Sequence, residues 1–186
     1  MDLDTAIYGR HSVRSYTDEP VTDSEIQAII DAGCQAPSPK NRQPWRIAIV
    51  KQPRLTSIAD RLATEIAAPN NLKRSAKDTM MIMKEAPVGL FFFLEKSDDY
   101  TTSDIASVGC PMQNMMLKAY SLGLGTLWCG DILFCQHKFA DLFGNKDLIA
   151  CLLIGHENID YPRKIHKSPE DLVLHGYDER SQHTHA

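Results

Sequence analysis

At 186 residues, with 43% hydrophobic and 24% charged side chains, the chain suits one globular domain and buries enough surface to need no disulfide staples. A formal charge of −4 excludes a nucleic-acid binder that works through bulk positive charge, and no apolar run approaches the roughly 20 residues of a bilayer crossing. Cys34, Cys110, Cys129, Cys135 and Cys151 form neither a CxxC nor a zinc-type spacing, and the acidic start MDLDTAIYGRHS is no secretory signal, so the reading is a cytoplasmic protein with reduced, mostly buried thiols.

Asp4 to Tyr8 reads as a short helix ending near Gly9, followed by an extended segment over Arg10 to Glu19. Thr22-Asp23-Ser24-Glu25 is a helix start, with Ile26, Ile29, Ile30 and Cys34 on one face. Ala36-Pro37-Ser38-Pro39 stops it, because the residue before a proline is pushed out of the α region. Trp45 to Val50 is a strand candidate. Leu55 to Ala67 has helical periodicity broken by Pro69-Asn70-Asn71, and Lys73 to Glu85 is a methionine-rich helix. Pro87 to Leu94 reads as a fully buried strand, bounded by polar residues.

Ser103 to Ser121 is expected to be the longest helix, stopped at Leu122-Gly123. Met112, Met115 and Met116 on it read as packing residues. A short strand at Gly125 to Trp128, a helix from Gln136 to Phe143 and a strand at Leu148 to Ile154 follow. From about residue 156 the chain is a polar tail with one helical piece at Pro169 to Leu174; His183 and His185 fit a frayed end. Helices first, then strands and helices interleaved, is the pattern of an α+β or mixed three-layer domain. No GxGxxG follows the first strand, and no P-loop, HExxH, GxSxG or EF-hand pattern occurs.

Three segments carry chemistry: Arg10-His11-Ser12-Val13-Arg14, Ala36-Pro37-Ser38-Pro39-Lys40-Asn41-Arg42-Gln43-Pro44-Trp45, and Tyr161-Pro162-Arg163-Lys164. The first and last are basic clusters in an acidic chain, and two such clusters can converge on one anion. A phosphate monoester favours arginine, whose fork donates two parallel hydrogen bonds.

In this order and separation, the R-H-S-V-R segment, the proline-flanked loop and the L-G-L-G-T-L-W-C-G segment resemble the FMN-binding nitroreductase family, over Arg10 to about Lys167. The resemblance implies a single domain over 1–186, a three-layer α/β/α fold with a mixed, mainly antiparallel central sheet flanked by helices. It implies a homodimer with FMN at the subunit interface, no nucleic-acid partner and no membrane. Arg10 and Ser12, with His11 between them, match positions that hold the FMN phosphate and ribityl chain. Arg14 matches a cation near the pyrimidine edge, where it would stabilise charge on the reduced ring. Pro37, Ser38, Asn41 and Gln43 match a loop that reaches the flavin of the opposite subunit. Trp128, Cys129 and Gly130 match a stretch whose backbone N–H groups face flavin N5 and O4. Cys129 departs from the aliphatic or acidic residue of that stretch and, as free cysteine is often buried, reads as a packed side chain turned away, with a thiol that modulates the flavin as the alternative. Arg163 and Lys164 match a basic pair over the phosphate, a place His166 or Lys167 can also fill.

The activity this implies is ping-pong transfer of hydride from NADH or NADPH to a nitroaromatic, quinone or similar small-molecule acceptor, with no catalytic side chain beyond the flavin's surroundings. The alternatives are a non-catalytic FMN-binding sensor or storage protein, a branch with other flavin chemistry such as dehalogenation or desaturation, and a helical interaction module without cofactor.

Overall fold

The structure is a computed structural model that describes residues 1–65, 71–95, 102–135, 143, 146–159, 162 and 166–173. Its centre is β2 (Val88–Leu94), seven apolar residues buried at every position. A strand with helices on both faces reads as a continuous apolar run rather than an alternation. β1 (Trp45–Lys51) and β4 (Asp147–Gly155) flank it, and β3 (Gly125–Cys129) lies beyond β4, in the order β1-β2-β4-β3. All pairings of these strands are antiparallel. Among the described residues, the parallel contribution to the expected mixed sheet is the bridge between Ser12 and Thr126.

Successive β2 side chains point to opposite faces and build two cores. Val88, Leu90, Phe92 and Leu94 pack with Ile26 and Ile29 of α2 (Asp23–Cys34) and Met112, Met115 and Met116 of α6 (Gly109–Ser121). Phe91 and Phe93 pack with Leu55, Ile58 and Leu62 of α3 (Arg54–Glu65) and Met80 and Met83 of α4 (Asn71–Glu85). The register slips where Phe92 faces Ala150 but Phe93 faces Leu148. Ile149 is the extra residue of this bulge, and it returns Leu148 to the same layer as Cys151. The implied three-layer arrangement is therefore the one observed.

At the amino end, α1 (Leu3–Gly9) is capped by Asp2, whose side chain accepts from Thr5 N. α2 begins with a complete capping box between Thr22 and Glu25. The α2 face differs from expectation at its end: Ile30 is half-buried and Cys34 exposed, and the buried residue is Gly33. A Cβ there would lie 2.1 Å from Met115 Cε, so α6 packs into the space the glycine leaves.

The single helix expected over Ser103 to Ser121 is two, α5 (Thr102–Ser107) and α6, separated at Val108. Pro111 explains the break. It has no N–H for the Ser107 carbonyl and its ring crowds that carbonyl, while Ser107 Oγ donates to Asp104 O at 2.7 Å. α4 begins at Asn71, two residues before the expected start. The helix expected at Gln136 to Phe143 lies outside the described residues except for Phe143, whose ring stands 5.3 Å from that of Phe91. The tail's helical piece is α7 (Pro169–Leu172). No helix among the described residues is long and apolar enough to cross a membrane.

Candidate functional site

β3 is an edge strand, and the segment after α1 lies along it. Val13 N donates to Thr126 O at 2.9 Å, which aligns Arg10-His11-Ser12-Val13-Arg14 with Gly125-Thr126-Leu127-Trp128. Gly125 makes this approach possible: a Cβ there would lie 2.5 Å from Val13 Cγ2 and 2.9 Å from Val13 Cβ. Val13 is buried, whereas Ser12 is half-buried and Arg14 exposed. Further on, the segment pairs with the chain leaving β4: Thr17 N donates to His156 O and Asn158 N to Ser15 O.

Between this segment, β3 and the end of α6 lies a cavity of about 220 Å³ lined by Arg10, His11, Val13, Tyr120, Thr126 and Glu157, among others. Arg10 Nε is buried and has no hydrogen-bond partner among the described residues. An unpaired buried donor costs about 1–3 kcal/mol, more when it is charged. An anion seated in the cavity supplies the missing acceptor, so the residues present fit a phosphate. His11 takes another role: its Nδ1 lies 3.1 Å from Gly9 O and its Nε2 3.0 Å from both carboxylate oxygens of Glu157. Arg14 folds back, with Nη1 donating to Ser12 O at 3.2 Å.

At the far end of β3, Trp128 is 43% exposed while Cys129 is buried at 2%. The Cys129 thiol points into the core, donates weakly to Leu127 O at 3.7 Å and is pushed up to about 12 by burial. Among the described residues a Cβ at Gly130 would meet only Trp128 Nε1, at 3.9 Å, so their packing does not require glycine there. Of the expected buried thiols, Cys129 and Cys151 are buried, but Cys34 is exposed and Cys110 half-buried. A thiol reagent applied to the native protein at pH 8 should therefore label Cys34 and spare Cys129 and Cys151, since only accessible thiolate reacts. Mass spectrometry of the labelled peptides checks this; Cys129 labelled in native protein would contradict its inward placement.

The proline-flanked loop stands apart from this cavity. Its Pro39–Asn41 turn puts Lys40, Asn41 and Gln43 at φ of 51°, 53° and 47°, a region that lysine and glutamine seldom occupy. Three contacts hold that conformation. Gln43 N donates to Ser38 Oγ at 2.8 Å, Gln43 Nε2 donates to Asn41 Oδ1 at 3.2 Å, and Arg42 Nη2 reaches the buried Asp104 carboxylate at 2.7 Å. Pro37, Asn41 and Gln43 stay exposed and Ser38 half-buried. Within one chain no hydrogen bond or ion pair among the described residues joins this loop to the Arg10 cavity, and the loop does not line it.

Arg163 and Lys164 lie outside the described residues; His166 and Lys167 are exposed. Sequence reasoning missed Glu157, Arg42 and Asp104. The Arg42–Asp104 signal was available only as an arginine in the loop and an acid in the first turn of α5, with α3 and α4 between them.

A family model described as the nitroreductase family matches residues 7–156. The 4-nitrobenzoate reductase of Pseudomonas putida is 26% identical over 198 residues, covering 83% of this chain and 85% of that one. The NADH dehydrogenase of Thermus thermophilus is 32% identical over 98 residues, covering 53% of this chain and 41% of that one. The chain spans 61% of the length of another relative, from Methanothermobacter thermautotrophicus. A crystal structure from Desulfovibrio desulfuricans, in complex with FMN, matches with a TM-score of 0.78 at 28% identity, covering 94% of this chain and 96% of that one.

Proposed function

The chain belongs to the nitroreductase family, and from that membership we propose that it is an FMN-dependent NAD(P)H oxidoreductase that reduces nitroaromatics, quinones or similar small acceptors. The observation that carries this reading is Arg10 Nε, buried and unpartnered on a cavity wall beside β3. The FMN-bound neighbour at 28% identity supports the cofactor. The names of the Pseudomonas and Thermus relatives support the acceptor class and the nicotinamide donor.

When bound, FMN supplies hydride acceptance from NAD(P)H and electron delivery to the acceptor, in two half-reactions. The chain's own residues supply position and field. Arg10 gives a charge-assisted donor to the phosphate; Ser12, half-buried beside the cavity but not among its lining residues, would add a neutral one, with Arg163 and Lys164 adding charge. Arg14 adds a cation where reduction leaves negative charge. Trp128 offers an exposed aromatic surface. The main chain of Cys129 and Gly130 offers fixed donors that do not titrate, and Gly130 leaves room for a ring to approach. No side chain of the chain is required as base or nucleophile, so shape and stacking govern the choice of acceptor.

We read 1–186 as one FMN-binding domain that works as a cytoplasmic homodimer. The loop of Pro37, Ser38, Asn41 and Gln43 supports the dimer, since it is held in a costly conformation yet serves nothing in its own subunit's cavity. A second copy would bring it to the flavin. The test is spectroscopic: the purified protein should be yellow, bleach anaerobically with NADH or NADPH, and regain colour on addition of a nitroaromatic or quinone. Yellow protein that ignores both nicotinamides would make it a flavin-binding sensor. Colourless protein unable to take up FMN would remove the enzymatic reading.

A further inference from the structure

Glu157 lines the same cavity as Arg10. A carboxylate beside an arginine with an unpartnered buried nitrogen has an evident partner there, since an Arg–carboxylate pair is among the strongest side-chain contacts. The pair does not form among the described residues. Both Glu157 oxygens lie 3.0 Å from His11 Nε2 instead. His11 is fixed at its other nitrogen, with Nδ1 3.1 Å from Gly9 O. A carboxylate only accepts, so the contact with Glu157 is one that His11 Nε2–H donates. The Glu157 backbone is pinned too, bridged to Tyr16 and flanked by Thr17 N donating to His156 O and Asn158 N donating to Ser15 O. The carboxylate therefore stays at the cavity that Arg10 also lines, held on His11.

We propose that His11 is a positioning residue that holds Glu157 away from Arg10, so that the guanidinium stays free for the phosphate of the ligand. This rests on the reading of Arg10 as the phosphate-holding residue. It assigns Glu157 a defined liability: released from His11, it competes with the incoming phosphate for the same cation. It also means that His11 serves phosphate recognition without touching the phosphate.

The test compares H11F, E157Q, the double variant H11F/E157Q and R10A, measuring Kd for FMN and for riboflavin, the same ring without the phosphate. H11F should weaken FMN by about tenfold or more, the scale of one charge-assisted contact, and leave riboflavin unchanged. E157Q should bind FMN at least as tightly as the parent. H11F/E157Q should recover parental FMN affinity, because the competing charge is gone. H11A carries the same expectations should the larger ring impair folding. A loss that persists in the double variant, or one shared equally by riboflavin, overturns the proposal and makes His11 a packing or ring-binding residue. R10A separates the two levels: if it leaves FMN affinity unchanged, the underlying reading of the cavity fails. If R10A weakens FMN alone and the double variant shows no rescue, only the role of His11 fails.

Discussion

Replacing Arg10 with alanine is expected to weaken FMN binding by about 1.5–3 kcal/mol, roughly ten- to 150-fold, and to leave riboflavin binding unchanged. The magnitude follows from what the side chain offers. Its Nε is already desolvated and without an acceptor among the described residues, so the cost of burying it is incurred before the ligand arrives, and the bond to an oxygen of the doubly charged phosphate is gained almost in full. Arg10→Lys should keep part of the affinity, since the charge stays but the planar fork is lost. Titration of flavin fluorescence against protein measures both constants. Equal losses for FMN and riboflavin would place Arg10 at the ring rather than at the phosphate, and no loss would take it out of the site.

Phe92→Ala should lower the free energy of unfolding by about 3–5 kcal/mol, a large part of a typical domain's stability. Phe92 is fully buried in the middle of the central strand, between Ile47 of β1 and Ala150 of β4. Its ring fills the layer shared with α2 and α6. Close packing leaves the surrounding side chains little freedom to collapse into the gap, so a cavity cost adds to the lost transfer energy. Urea unfolding followed by circular dichroism checks it. A shifted midpoint with an unchanged slope marks lost stability rather than an altered unfolded state. A loss below about 1 kcal/mol would show that the two core layers repack freely.

Parts of the molecule differ in how plainly the sequence announces them, and the differences have physical causes. Val88 to Leu94 is legible because a strand buried on both faces must be apolar at every residue, and nothing polar interrupts it. The start of α2 is legible because Thr22 and Glu25 satisfy each other's orphan backbone donors. The split between α5 and α6 was readable at Pro111, but Ile105, Val108 and Met112 keep a helical spacing across it and mask the break. Cys34 looked like a core residue by its helical phase; the close approach of Met115 at Gly33 ends the buried stripe one residue earlier.

In the site, Arg10, Ser12 and Arg14 were visible as a basic cluster in an acidic chain, and Trp128 to Gly130 through the family pattern. Pairing is what the sequence hides. His11 meets Glu157 across 146 positions and Arg42 meets Asp104 across 62, and contacts so remote leave no periodic trace. Nor do Lys40 and Gln43 advertise their positive φ, since neither residue type favours it. The inward thiol of Cys129 follows from strand alternation opposite the exposed Trp128.

The cavity beside β3 as the seat of the FMN phosphate is the claim on which the rest depends. A crystal structure of the FMN-loaded protein addresses it directly. It should show a phosphate oxygen within hydrogen-bond distance of Arg10 Nε, with Glu157 still turned to His11. A phosphate bound elsewhere, with Arg10 Nε still unpartnered or paired to Glu157, would contradict it.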